Sequence, residues 1–143
     1  MQKINLTTAQ GDGFIDLSGQ LRSTDFVMNV YDVPPGGASA PYHYEYGEEW
    51  LLVVEGEITV RAPDGEHTLE RGDLVRFPAG PDGAHNVTNR SDAPARALMF
   101  SRRGQGVGVA VYPDSDTVGV WGGEQDLLFK RDSAVPLSER FRE

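Results

Sequence analysis

The sequence predicts an all-β chain folded as a sandwich or barrel. Three observations predict it. No apolar period of 3.6 residues is sustained between residues 37 and 101. Turn signals recur every eight to twelve residues over the same span. Seventeen glycines and nine prolines are spread along the 143 residues rather than pooled, which suits short strands joined by tight turns. The length predicts one domain, residues 1–143, with enough chain for a core.

Residues 1–12 are polar and read as an arm, and residues 14–17 as a short strand. Residues 24–33 are rich in β-formers and stop at Pro34-Pro35-Gly36-Gly37, a turn signal. Residues 41–46 alternate with period two. His43 and Glu45 share one face, and Tyr42, Tyr44 and Tyr46 share the other. Residues 49–55 are apolar almost throughout, as expected of a strand covered on both sides. Gly56 turns the chain into residues 57–62, and Asp64-Gly65 signals a hairpin into residues 66–69. Residues 73–77, 85–89 and 95–101 complete the run of short antiparallel strands, with a Gly/Pro loop before His85. Beyond it, residues 104–108 read as a flexible connection, lacking the context of a dinucleotide fingerprint. Residues 109–112 and 117–121 pair around a turn, residues 126–130 form a last strand, and residues 135–143 form a charged, exposed tail.

Thirteen basic and 22 acidic residues leave a net charge of −9, which argues against nucleic-acid and anionic-membrane partners. With no cysteine there are neither disulfides nor thiolate ligands, so any transition metal must be held by imidazole and carboxylate. The N-terminus has no apolar leader, so the expected location is cytoplasmic.

Four side chains converge on this reading. His43 and Glu45 sit at strand positions i and i+2, Glu49 opens the next strand, and His85 follows the loop. Two neutral imidazoles and two carboxylates would neutralise a divalent ion. That favours iron or manganese, with zinc, nickel and cobalt also compatible. His67, beside the hairpin turn, reads as exposed. On residue types alone, ordinary surface strands remain an open alternative.

The spacing resembles the cupin superfamily. Its first motif reads glycine, five residues, histidine, one residue, histidine, three or four residues, glutamate, six residues, glycine. Here Gly37, His43, Glu49 and Gly56 fit, and Glu45 replaces the second histidine. The second motif is carried by Gly72, Pro78, Gly80, His85 and Asn89, with two extra residues between Gly80 and His85. The likeness spans residues 24–101, and the wording is similar to that of small single-domain bacterial cupins. It implies a double-stranded β-helix, or jelly-roll barrel, with short terminal arms. It implies His43, Glu49 and His85 as metal ligands, with Glu45 as a fourth ligand or a catalytic base. It also implies a homodimer, with Tyr44, Tyr46 and Trp50 as contact residues.

Two functions follow. One is a metal-dependent enzyme (oxygenase, isomerase or lyase in type) on a small organic substrate. The alternative is a non-catalytic binding or sensing protein whose metal is structural or orients a ligand. Met28, Leu51, Phe77 and Phe100 are the expected pocket-lining residues.

Overall fold

The computed structural model describes residues 1–104 and 106–141. Gln105, in the expected connection, and residues 142–143, at the end of the expected tail, lie outside the described residues.

Strand β1 (Phe14–Asp16) runs into helix α1 (Leu17–Leu21), where the Asp16 carboxylate accepts from the Gly19 amide at 3.0 Å. The strands that follow match the predicted order. They are β2 (Phe26–Val33), β3 (Tyr44–Glu45), β4 (Glu49–Glu55), β5 (Glu57–Ala62), β6 (Gly65–Glu70) and β7 (Leu74–Phe77). Next come β8 (Asn86–Thr88), β9 (Ala95–Arg102), β10 (Gly108–Tyr112), β11 (Thr117–Trp121) and β12 (Leu127–Lys130). The hairpin between β5 and β6 closes on the Ala62–Gly65 pair, so Pro63-Asp64 forms the turn, one residue earlier than the signal.

The strands form three sheets, in the orders β1-β2-β9-β4-β7, β12-β11-β10-β3 and β6-β5-β8. All pairings are antiparallel, and the architecture is the jelly roll. Leu51, Val53, Phe77, Ala95 and Ala97 of the five-stranded sheet pack against Ile58, Val60 and Val87 of the three-stranded sheet. A second core lies on the far side of the five-stranded sheet. There Ile15, Leu17 and Val30 receive Ile4, Leu6 and Ala9 from the N-terminal arm. Arg96 fastens that arm. Its guanidinium donates to both Asp32 carboxylate oxygens (2.6 and 2.8 Å) and to the carbonyls of Leu6 and Ala9 (2.9 and 3.0 Å). The arm therefore covers apolar surface instead of trailing in water.

Two motif residues have structural roles. Gly56 has φ +75° and faces the Pro94 carbonyl so closely that a Cβ would sit 2.7 Å from it. Asn89 is fully buried, donates to the Val33 and Ala93 carbonyls (2.8 and 2.7 Å), and accepts from the Ser91 amide and hydroxyl. Among the described residues no helix is long and apolar enough to cross a membrane.

Candidate metal centre

Register places the site. Antiparallel partners share a face, so one row of the five-stranded sheet runs Val27, Ser101, Glu49, Phe77 across β2, β9, β4 and β7. Glu49 thus projects to the inner side. His43 and His85 form an isolated antiparallel bridge, with amide-to-carbonyl bonds of 3.0 and 2.8 Å in the two directions. Their rings share a side, with centroids 4.8 Å apart. The two-residue insertion before His85 is taken up as a single 3-10 turn, Pro81–Gly83. A Cβ at Gly83 would lie 1.7 Å from the Pro78 carbonyl oxygen, so the turn closes only on glycine.

Each imidazole is locked. His43 Nδ1–H donates to the Pro41 carbonyl at 2.8 Å, and His85 Nδ1–H donates to the Gly83 carbonyl at 2.9 Å. A carbonyl only accepts, so both rings carry the hydrogen on Nδ1 and present the Nε2 lone pair inward. Phe77 stacks on the His85 ring at 3.7 Å and fixes its plane. His85 Nε2 is buried with no hydrogen-bond partner. An orphaned acceptor of this kind is costly unless something binds it. One ligand atom from each of His43, Glu49 and His85 lies within 4.8 Å of the other two. Two imidazoles oriented by carbonyls, plus a carboxylate, suit a divalent transition metal.

Burial dominates the electrostatics. It pulls His43 below the usual histidine range and pulls His85 down to about 4. Burial, then the Glu45 charge, pushes Glu49 up to about 8. The 3.8 Å approach of His85 Nε2 to Glu49 Oε2 is therefore no ion pair in the metal-free chain, since both groups are neutral near pH 7. A bound cation would reverse the shift on Glu49.

Of the four residues expected as ligands, three come together. Glu45 is not part of that cluster. Glu45 instead lines the same cavity, and burial raises its pKa. His67 is exposed and bonded to Asp64 at 2.8 Å.

The cavity beside the triad has a volume of about 690 Å³. Asn29 and Tyr31 of β2 line it, as do Tyr46, Trp121, Arg102 and Arg103. Tyr31 is raised by burial and then by the charges of Glu49 and Glu45, which places it at the acidic end. Sequence reasoning missed Asn29 and Tyr31 because it chose the other phase of β2. Met28 packs into the second core, and Leu51 and Phe77 into the first. Phe100 borders the cavity, but its ring stacks on Trp50. The β2–β9–β4 register, which alternation within one strand does not reveal, sets the phase.

The cupin domain family matches residues 29–101, about half of the chain. The chain belongs to the cupin family. This cupin is similar to a solved sugar phosphate isomerase of the cupin superfamily from Silicibacter pomeroyi. They are 28% identical with a TM-score of 0.79, over 89% of this chain and 82% of that one. It is also similar to the polyketide cyclase RemF from Streptomyces resistomycificus, at 20% identity and a TM-score of 0.58. That match covers 71% of this chain and 79% of the other, and at such identity it speaks for the fold alone. Over 77 residues this cupin is 25% identical to the tetracenomycin polyketide synthase protein TcmJ of Streptomyces glaucescens, covering 54% of this chain and 50% of that protein. The chain thus spans about half the length of the curated relative it matches.

Proposed function

We propose that this cupin is a metal-dependent enzyme that moves a proton on a small, oxygen-rich organic molecule, in the manner of an isomerase. One observation carries the reading: His43 and Glu49 of a triad fit for a metal line one cavity with a further carboxylate, Glu45. His43, Glu49 and His85 would hold the ion, with iron or manganese favoured over zinc, nickel and cobalt. When bound, the metal supplies Lewis-acid polarisation of a substrate oxygen. Glu45 acts as the base, taking the proton from the hydroxyl-bearing carbon next to the carbonyl and delivering it to the carbonyl carbon, while the hydroxyl proton passes to the former carbonyl oxygen. The step is redox-neutral and needs no co-reactant. Asn29 and Tyr31, on the same inner face as Glu49, hold substrate hydroxyls. The likeness to the Silicibacter pomeroyi isomerase supports an isomerase over an oxygenase or lyase.

Deuterium exchange tests this. Metal-loaded protein is incubated in D2O with a panel of aldoses, ketoses and their phosphates. The expected result is exchange at the carbon beside the carbonyl, reduced about 100-fold or more in Glu45→Gln with metal content retained. Undiminished exchange in the variant removes Glu45 from the chemistry. No exchange with any panel member in the native protein favours the non-catalytic binding role.

The chain is also proposed to act as a homodimer. Strand β12 is the edge of its sheet, and Leu127, Leu128 and Phe129 are exposed along it. An unpaired apolar edge is a template for a second strand, and two copies of β12 can pair antiparallel across a two-fold axis.

A further inference from the structure

The mouth of the metal cavity is basic, in a chain whose net charge is −9. Arg102 ends β9, and Arg103 extends the strand by one step, its amide donating to the Asp25 carbonyl at 2.8 Å. Alternation puts Arg103 on the side of Ser101, the residue paired with Glu49. Arg103 therefore stands on the inner face, about 6.6 Å along the strand from the row that holds Glu49. Both arginines line the cavity together with His43, Glu45 and Glu49.

Their lack of partners separates them from five other arginines of the chain. Arg61, Arg76, Arg90, Arg96 and Arg131 each pair with a carboxylate. Among the described residues, neither Arg102 nor Arg103 has an acidic partner within salt-bridge distance, although acids outnumber bases 22 to 13. Two exposed arginines lining this cavity give it a locally positive field in a chain of net negative charge. The guanidinium fork matches phosphate and carboxylate in a bidentate fashion. A volume of about 690 Å³ accommodates a molecule of sugar-phosphate size.

We propose that Arg103, assisted by Arg102, recognises an anionic group, a phosphate or a carboxylate, on the molecule whose other end reaches the triad. This rests on the reading of the cavity as a substrate site and gives that substrate its chemical class: a small hydroxylated anion.

Calorimetric titration of the metal-loaded full chain tests it, with glucose 6-phosphate, gluconate and glucose as probes. The expected result is that at least one charged probe binds tenfold or more tightly than glucose. Arg103→Gln and the double variant Arg102→Gln/Arg103→Gln should remove that difference while retaining metal. A gain confined to glucose 6-phosphate assigns a phosphate, and one confined to gluconate assigns a carboxylate. Binding unchanged in the double variant overturns the proposal, as does equal binding of glucose, or no binding of any probe. Metal content, measured on the same samples, reports separately on the metal reading. Arginine-dependent binding in protein that holds no metal leaves this proposal standing and sinks the enzymatic one.

Discussion

Glu49 and His85 are displaced in opposite directions, to about 8 and about 4, by the same burial. In the metal-free chain Glu49 holds a proton up to about pH 8 when folded, but only to about 4.5 when unfolded. Its contribution to stability is therefore full at low pH and is lost as pH rises through 8. His85 works the other way, and its contribution is lost as pH falls from 6.5 through about 4. The two offset each other between about 4.5 and 6.5, and above that Glu49 dominates. Metal-free protein should lose about 2 kcal/mol of stability between pH 6.5 and 8, measured by urea unfolding. Glu49→Gln should remove most of that loss. A slope unchanged in the variant contradicts the assignment. Metal must displace the Glu49 proton, so affinity should fall about tenfold per pH unit below 8. The triad was legible in the sequence because His43, Glu49 and His85 stand at motif spacing. The role of Glu45 was not, because alternation gives the face of a side chain but not its reach.

Two short segments, one beside the site and one on the far side of the sheet, can each be broken separately. The 3-10 turn before His85 depends on Gly83, where a Cβ would overlap the Pro78 carbonyl. Gly83→Ala should open the turn and displace the carbonyl that His85 Nδ1–H engages. Metal affinity should drop more than tenfold in a chain that still folds, read by metal titration alongside circular dichroism. The N-terminal arm depends on Arg96. Arg96→Ala removes four hydrogen bonds and should cost about 2 kcal/mol. It should also expose residues 1–12 to limited proteolysis, and an arm as resistant as the native one contradicts the account. At this scale the order of the strands was legible because turn residues bound them, although the strand expected over residues 41–46 is only Tyr44–Glu45 and Leu17, expected as strand, opens α1. The phase of β2 was not. FVMNVYDV has packed side chains on both faces, so hydropathy does not tell inner from outer, and only pairing with β9 decides. The packing of the arm was not legible for a related reason: its few apolar residues are scattered, and their partner, Val30, is 24 residues beyond Leu6.

For the molecule as a whole, turn spacing and the two motifs carried the jelly roll, whereas the sheet orders emerge only from long-range pairing. The exposed β12 edge predicts self-association. Light scattering should give twice the chain mass of 15.6 kDa, falling to the single mass in Leu128→Glu. A monomeric native protein removes the proposed dimer. The triad is the claim on which the others turn, and metal content tests it most directly. Elemental analysis of protein purified without added metal should give about one divalent ion per chain, mainly iron or manganese. His85→Ala, folded by circular dichroism, should hold less than a tenth of that. Unchanged metal in His85→Ala would contradict the site, and zinc or copper as the main ion would contradict the assigned metal preference.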